Sequence, residues 1–149
     1  MGAESVTVCF TGNPNCGKTT LFNAYTGAGK KTANWPGVTV ELSEGSLMHR
    51  GRPVRLVDTP GIYSLDPYTM EETVTRQCIR DQKADVIIHV ADALLLERSL
   101  FLTMQLLAEG KPLVLALNMM DLVRERGMDI DTEGLSRLLG GIPVIPVSA

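Results

Sequence analysis

The sequence predicts an α/β domain, doubly wound around a mostly parallel six-stranded sheet with helices on both faces. Apolar, β-branched runs alternate with helical patterns through the 149 residues. Several of these runs are apolar throughout, which is typical of parallel strands that helices cover on both sides. A glycine-rich loop also separates the first strand from the first helix. Ligand is therefore expected at the carboxyl ends of the strands, within one domain that spans residues 1–149.

The elements follow in order from runs of apolar residues and from capping residues. Asp131 and Asp92 are predicted to cap helices, and Gly110 and Gly140 to end them. Residues 27–37 and 61–67 fit no regular element well. The predicted strands are 6–10, 38–42, 54–57, 86–90, 113–117 and 144–147. The predicted helices are 18–25, 69–81, 94–109 and 132–139.

Three details of this layout are expectations for the structure to test. The second and third strands should pair as an antiparallel hairpin, with the connection at 43–46. The helix at 94–109 is apolar on most of its circumference and should be heavily buried. The chain stops directly after an apolar strand, so a final covering helix is expected to be missing. Either the chain is a fragment, or a partner or a second copy covers that strand.

Composition excludes several classes of protein. With 44% hydrophobic and 21% charged residues the chain can bury a core. The net charge of −3 and the lack of a basic cluster argue against a nucleic-acid surface. We find no apolar run of bilayer length and no signal-peptide pattern. Cys9, Cys16 and Cys78 show no metal-ligand spacing and are interpreted as reduced thiols.

The glycine-rich loop has the pattern of a phosphate-binding loop, between a strand and a helix as that motif requires. Successive backbone N–H groups and the helix N-terminus make an anion site, and Gly12 and Gly17 let the main chain approach phosphate. Lys18 would reach the outer phosphates, and the Thr19 hydroxyl would ligate Mg²⁺. Cys16 is interpreted as a small filler residue. The predicted nucleotide contacts here are Gly12, Asn13, Pro14, Asn15, Cys16, Gly17, Lys18, Thr19 and Thr20.

A second motif, Asp58-Thr59-Pro60-Gly61, follows the strand at 54–57. A carboxylate at this strand end can hold Mg²⁺ through water. The backbone N–H of Gly61 can approach a γ-phosphate and act as a pivot. Some forty residues after a phosphate-binding loop, the motif indicates a nucleotide switch.

A third motif, Asn118-Met119-Met120-Asp121, follows the strand at 113–117. The Asp121 carboxylate can accept from both N–H groups on the edge of guanine, a pair of donors that adenine lacks. Asn118 would join this base-binding loop to the phosphate-binding loop. Ser148 and Ala149 follow the last strand and would offer a backbone N–H to the guanine oxygen.

Together these sites resemble a small GTP-binding protein of the Ras-like class. The resemblance is narrower still to the FeoB family, and it covers essentially the whole chain. It rests on the loop sequence through Asn23, on Asn118-Met119-Met120-Asp121, and on a segment like the first switch of FeoB. That segment is Asn34-Trp35-Pro36-Gly37-Val38-Thr39-Val40-Glu41.

FeoB proteins are bacterial ferrous-iron transporters with an N-terminal cytoplasmic GTPase domain, followed by a helical regulatory domain and a membrane domain. The resemblance implies that this chain is the GTPase domain, at the cytoplasmic face of the inner membrane. GTP would be its substrate and GDP its product. It also implies that the helical and membrane domains are partners; self-association stays open. His49 and His89 have no second ligand at useful spacing, so no iron site is expected, and His89 is interpreted as a core or pocket-edge residue.

Two departures from the Ras-like pattern affect the expected mechanism. Ile62 stands where Ras-like proteins have the glutamine that orients the attacking water, so unaided hydrolysis should be slow. Met119 replaces the lysine whose stem packs on guanine, so nucleotide affinity should be weaker and release faster.

The resemblance implies further residues of the site. Thr39 would bind Mg²⁺ when the γ-phosphate is present, with Gly37 and Val38 beside the nucleotide. Asn15 and the backbone carbonyls near Ala33 and Trp35 would hold K⁺, which would neutralise charge between the outer phosphates. Alternatively, Asn15 is a turn residue and Trp35 a surface aromatic. The catalytic set would then be Lys18, Asn15, Thr39 and Gly61.

The leading hypothesis is Mg²⁺-dependent and K⁺-stimulated hydrolysis of GTP, acting as the switch for Fe²⁺ uptake. A second hypothesis is a GTP/GDP occupancy sensor with negligible hydrolysis, which Ile62 keeps open. A third is an RNA- or ribosome-associated GTPase. That class usually has Asn-Lys-x-Asp and a basic appendage, neither of which this chain shows.

Overall fold

The fold is a seven-stranded mixed sheet with helices, in a computed structural model that describes residues 5–81 and 84–149. The strand order is β2-β3-β4-β1-β5-β6-β7. β3 pairs antiparallel with both β2 and β4, and the other neighbours are parallel. The doubly wound, mostly parallel α/β fold is thus confirmed. The strands are β1 Val6–Gly12, β2 Lys31–Asn34, β3 Glu41–His49, β4 Arg52–Asp58, β5 Val86–Asp92, β6 Leu113–Asn118 and β7 Val144–Pro146.

The prediction of six strands is wrong, because it omits β2. All four side chains of Lys31–Asn34 are exposed, so this edge strand has no apolar run to reveal it. It is held by main-chain pairing to β3, in which Ala33 is opposite Leu42.

The hairpin exists, but its turn was predicted in the wrong place. β3 runs straight through 43–46, and the chain reverses at Arg50 and Gly51, whose φ angles are 49° and 77°. Two positive φ values in a two-residue connection match the right-handed twist of the flanking strands. Residues 38–40 were predicted to begin this strand, but β3 begins at Glu41. Val38 instead closes a turn, in which its N–H donates to the Trp35 carbonyl at 3.2 Å.

The helices agree with the prediction within about three residues at each end, with one addition. Residues 94 and 95 lie in a 3₁₀ turn, Ala93–Leu95, and a second 3₁₀ turn is Gly27–Gly29. The short helix α4 was not predicted, because six residues are too few for a clear apolar period. The helices are α1 Lys18–Thr26, α2 Met70–Asp81, α3 Leu96–Ala108, α4 Met120–Glu125 and α5 Thr132–Leu138.

Both predicted caps are confirmed. The Asp92 carboxylate accepts from the Leu94 N–H, and the Asp131 carboxylate accepts from the Gly134 N–H, each at 2.9 Å. These bonds satisfy N–H groups that have no partner within the helical turns.

Burial of α3 is more one-sided than its composition predicted. Leu102 and Leu106 are fully buried, whereas Phe101 and Met104 are 59% and 58% exposed. A helix on one face of a sheet can bury only one side, so the apolar residues of the other side remain in solvent.

His89 is a core residue, as one of its two interpretations held. It is fully buried on β5, and its Nδ1 lies 2.9 Å from Thr103 Oγ1 on α3. Burial lowers the pKa of His89 to about 3, so the ring is neutral at physiological pH.

The parallel strands bring the predicted motifs to one edge of the sheet. β1 ends at Gly12, β4 at Asp58, β5 at Asp92 and β6 at Asn118. These carboxyl ends are where an α/β sheet binds ligands. Among the described helices, none combines the length and the apolar character needed to cross a bilayer.

Candidate functional site

The loop between β1 and α1 borders a cavity of about 340 Å³. Two of its residues have left-handed backbone, Asn15 with φ 65° and Gly17 with φ 86°. The first residues of α1 line the same cavity, as does Gly61 from the loop after β4. The lining residues are Asn13, Pro14, Asn15, Cys16, Gly17, Lys18, Thr19, Thr20 and Gly61.

Two residues of the loop serve the packing behind this cavity. Cys16 is 2% exposed and belongs to an apolar cluster with Phe10 and Phe22, in agreement with its filler role. Gly12 does not line the cavity. A Cβ atom on Gly12 would lie 2.5 Å from the Val90 carbonyl oxygen of β5, so the close approach here is to protein backbone.

Asn118 joins the base-binding loop to the phosphate-binding loop, as predicted. Its Nδ2 donates to the Cys16 carbonyl at 3.0 Å. A Cβ on Gly17 would collide with this same Nδ2. Gly17 is therefore needed both for its positive φ and to leave room for Asn118, a reason that the local motif does not reveal.

Replacing Gly17 with alanine should destabilise the protein and displace Asn118. The cost of left-handed backbone alone is roughly 1–2 kcal/mol for a residue with a Cβ, and the collision adds to it. Gly127→Ala is the matched control, because Gly127 has φ 72° and open space around its missing Cβ. Urea unfolding should show a larger loss for Gly17→Ala; equal losses would contradict the role of the Asn118 contact.

Lys18, Thr19 and Asp58 meet beside the cavity. Lys18 Nζ forms an ion pair with Asp58 Oδ1, and Thr19 Oγ1 donates to Asp58 Oδ2 at 3.1 Å. Lys18 and Asp58 are 6% and 8% exposed, so each charge depends on the other for compensation. A hydroxyl and a carboxylate at this spacing form an oxygen donor set of the kind that Mg²⁺ prefers, so these residues fit that ion.

The segment after Asp58 is held against β1 and the loop. Thr59 Oγ1 donates to the Phe10 carbonyl at 2.7 Å, and the Ile62 N–H donates to the Gly12 carbonyl at 2.9 Å. A Cβ on Gly61 would lie 3.0 Å from Pro14 Cα, so the chain passes the loop closely at this point. Pro60, which stands between Thr59 and Gly61 in the sequence, is half-buried.

Ile62 points away from the cavity. It is 3% exposed and packs in a core cluster with residues of α2, β5 and α3. Its apolar side chain therefore contributes to packing and has no group that could orient water.

The predicted base-binding residues lie together at the ends of β6 and β7. Asp121 is exposed at the start of α4, and its N–H donates to Ser148 Oγ at 3.3 Å. Met119 has φ 66° and is half-buried. The Ala149 N–H donates to Asn118 Oδ1 at 2.9 Å, so this donor, one of those considered for the guanine oxygen, already has a protein partner.

The segment predicted as the first switch lies apart from the phosphate-loop cavity. Ala33 and Trp35 line a different cavity, on the α2 side of β4, and the Trp35 carbonyl accepts from Val38. Ala33 and Trp35 therefore do not share the phosphate-loop cavity with Asn15 in this structure. Gly37, Val38 and Thr39 do not line the phosphate-loop cavity either.

Trp35 is half-buried, so part of its side chain remains at the surface. Its ring packs against a cluster of Cys9, Val57, Cys78 and Ala84. Separately, no group of three or more His, Cys, Asp or Glu side chains able to hold a metal occurs within 5–81 and 84–149.

Arg98 is a basic residue near the loop that sequence reasoning did not single out. It lines a second cavity with Asn13, Asn15 and Asp92, and its guanidinium lies 4.7 Å from the centre of the Tyr63 ring. No local motif marks Arg98, because α3 is far from the loop in sequence and comes close to it only in the folded chain. Arg80 of α2, by contrast, pairs with Glu109.

Comparison with known proteins places this arrangement in a family. The family model described as ferrous iron transport protein B matches residues 6–149. The chain belongs to that family, FeoB. It corresponds to the N-terminal GTPase domain of FeoB proteins.

Named relatives and solved structures agree with this assignment. An Fe(2+) transporter FeoB of Legionella pneumophila is 50% identical over 142 residues, which cover 93% of this chain and 19% of the relative. The chain thus spans about a fifth of the length of such FeoB relatives.

Two solved FeoB structures share the fold closely. The cytosolic domain of T. maritima FeoB, in a GDP form, matches with a TM-score of 0.93 and 42% identity, over 97% of this chain and 57% of that one. A point mutant of S. thermophilus NFeoB bound to GDP matches with a TM-score of 0.90 and 45% identity, over 96% of this chain and 56% of that one.

Proposed function

We propose that this FeoB domain binds guanine nucleotide with Mg²⁺ and hydrolyses GTP to GDP and phosphate, as the switch for ferrous iron uptake. The observation that carries the proposal is the meeting of Lys18, Thr19 and Asp58 beside the phosphate-loop cavity. Two solved FeoB structures support it, one bound to GDP and one in a GDP form.

The chain's own residues divide the work of phosphate binding. The loop N–H groups and the α1 N-terminus attract the phosphates, and Lys18 exchanges its Asp58 partner for a phosphate oxygen. Thr19 and Asp58 would hold Mg²⁺, joined by Thr39 when its segment closes over the γ-phosphate. Mg²⁺, when bound, supplies positive charge against the charge that develops on the phosphate oxygens.

Guanine selection is assigned to the base-binding loop. The exposed Asp121 carboxylate is free to accept from both N–H groups of guanine. The Asn118 amide places that loop against the phosphate-binding loop through its bonds to Cys16 and Ala149. Met119, half-buried beside it, would pack on the base plane.

The alternatives differ in their support. An occupancy sensor with negligible hydrolysis is favoured by the buried position of Ile62. The FeoB match gives no support to the RNA-associated alternative. Phosphate release from GTP separates hydrolysis from sensing, since a sensor binds GTP and GDP without measurable turnover.

The proposal extends to the setting of the domain. We infer that it works at the cytoplasmic face of the inner membrane, with the helical and membrane domains of a full-length transporter as partners. The share of the relatives that this chain spans leaves room for both.

Ile62→Ala should change GTP turnover by no more than about tenfold, or roughly 1.4 kcal/mol in barrier height. The same change should cost about 2–5 kcal/mol of stability, because it empties part of a core cluster. Turnover and urea unfolding should be measured together, with Ile62→Val as the milder control. A loss of several orders of magnitude in a variant that is still folded would show that this side chain shapes the water site.

K⁺ stimulation is the part of the proposal that needs a rearrangement. Since Ala33 and Trp35 lie in another cavity, their segment must move toward Asn15 before the three can share an ion. The expected result is severalfold faster GTP turnover in KCl than in NaCl at equal ionic strength. Asn15→Ala should lose this difference while keeping GDP binding. Equal rates in both salts would remove K⁺ from the mechanism and strengthen the sensor alternative.

A further inference from the structure

Two buried cysteines from different elements lie side by side beneath the first-switch segment. Cys9 Sγ on β1 and Cys78 Sγ on α2 are 3.7 Å apart, and both residues are fully buried. They are 69 positions apart in sequence, so only the fold brings them together. The nucleotide site uses neither thiol.

We propose that Cys9 and Cys78 form a reversible disulfide, a redox modification site that joins β1 to α2 and takes a small hydroperoxide as oxidant. To form the bond, the two sulfur atoms need to approach from 3.7 Å to about 2.05 Å. A disulfide in a compartment that keeps thiols reduced is typically transient and regulatory.

A cavity borders the buried Cys78. It measures about 340 Å³, and its walls include Trp35, Leu42, Arg55 and Cys78. Because Trp35 belongs to the first-switch segment and packs against the cluster that contains both cysteines, movement of that segment would open the cavity toward Cys78. Hydrogen peroxide is small enough to enter such a space, whereas a peptide disulfide is not.

Cys78 is the attacking thiol, because it lines this cavity and Cys9 is not among the lining residues. A hydrogen bond from the Cys9 thiol lowers the pKa of Cys78, and the nearby Arg55 guanidinium acts in the same direction. The pKa of Cys9 is raised, first by that hydrogen bond and then by burial. The thiolate is the nucleophile in thiol oxidation, and Cys9 remains as the resolving thiol.

The reaction balances in two steps. The Cys78 thiolate attacks one peroxide oxygen, the O–O bond breaks, and the released hydroxide takes up the proton that Cys78 lost, giving water and a sulfenic acid. The Cys9 sulfur then attacks the sulfenic sulfur, the S–O bond breaks, and the hydroxyl leaves with the Cys9 proton as a second water. A dithiol reductant reverses the disulfide by exchange.

The disulfide would constrain an element next to the switch. α2 follows the segment 58–69, and β1 leads directly into the phosphate-binding loop. Joining them should slow the opening of α2, so its backbone amides should exchange with solvent more slowly in the oxidised protein. An effect on GTP turnover rests on the proposed function, whereas the bond itself and the exchange of amides do not.

The test uses the Cys16→Ala variant, which keeps Cys9 and Cys78 as its two cysteines. After hydrogen peroxide and quenching, the protein is unfolded, alkylated and mapped by mass spectrometry. The expected product is a monomer that has lost two hydrogen atoms, resists alkylation and contains a Cys9–Cys78 link that dithiothreitol removes. Trp35→Ala in the same background should react severalfold faster. Oxidised protein should also show slower hydrogen exchange in α2.

Variants that lack one of the two cysteines are the controls for this test. Adding Cys78→Ala or Cys9→Ala should abolish the intramolecular product. The proposal is overturned if both thiols remain fully alkylatable after peroxide, if Cys78 accumulates as sulfinic acid without a link, or if the only disulfides are between molecules. None of these outcomes depends on nucleotide, so failure here is distinct from failure of the proposed GTPase activity.

Discussion

Replacing Lys18 with alanine is expected to reduce GTP turnover on the order of a thousandfold, a barrier increase of about 4 kcal/mol. The ammonium group is the buried cation that lies beside the phosphate-loop cavity and already faces the carboxylate of Asp58. Without it, the outer phosphates lose their protein-supplied positive charge, and Asp58 is left buried without its ion-pair partner. The measurement is phosphate release under saturating GTP and Mg²⁺.

Two controls separate the chemistry from the fold. Lys30→Ala removes an exposed lysine whose ammonium group donates to Asn23 Oδ1, and it should retain turnover. The Lys18→Ala protein should be checked by circular dichroism, since breaking a buried ion pair costs about 3–5 kcal/mol of stability. Near-normal turnover in a folded Lys18→Ala protein would contradict the phosphate-loop assignment.

Thr19→Ala should abolish turnover by a different route, because it removes an oxygen ligand for Mg²⁺ next to Asp58. Partial rescue by raised Mg²⁺ is expected for this variant and not for Lys18→Ala. Near-normal turnover of Thr19→Ala in ordinary Mg²⁺ would exclude the hydroxyl as a ligand.

Asp121→Asn is expected to exchange guanine for xanthine as the preferred base. An amide N–H complements the ring oxygen of xanthine, and it cannot accept from both N–H groups of guanine, so GTP affinity should fall by at least about a hundredfold. The main chain at this position is held by the bond from the Asp121 N–H to Ser148 Oγ, which the substitution leaves in place. Competition between GDP and xanthosine diphosphate measures the change.

Glu125→Gln is the matched control for Asp121→Asn, because it removes an exposed carboxylate at the far end of α4. It should leave base preference unchanged. If the wild-type chain binds ADP as tightly as GDP, or if Asp121→Asn keeps its preference for guanine, Asp121 does not read the base.

The fold was predictable where elements follow from local pattern. The parallel strand β6 is apolar from Leu113 to Leu117, and such a run is typical of a strand that is buried on both faces of a sheet. β2 was not predictable, since its four exposed residues pair through the main chain alone. The turn at Arg50 and Gly51 was missed because Gly45 suggested an earlier reversal; in the structure Gly45 instead makes room for Thr26 of α1.

The candidate site was predictable as a set of motifs but not as a set of contacts. The motifs identified Lys18, Asp58 and Asn118 because each follows a strand that ends at the same edge. The contact of Lys18 with Asp58 joins residues 40 positions apart, and that of Asn118 with Cys16 joins residues 102 positions apart, which spacing alone does not specify. The position of Trp35 depends on its packing against a cluster that includes residues of β1, β4 and α2, and no local pattern encodes that contact.

The most direct test of the central claim is phosphate release by the purified chain with GTP or ATP, each with Mg²⁺ and with excess chelator. We expect slow but measurable release from GTP with Mg²⁺, loss of that release with chelator or in Lys18→Ala, and none above background with ATP. Release that is equal for GTP and ATP, or that persists without Mg²⁺, would contradict Mg²⁺-dependent hydrolysis of GTP at this site.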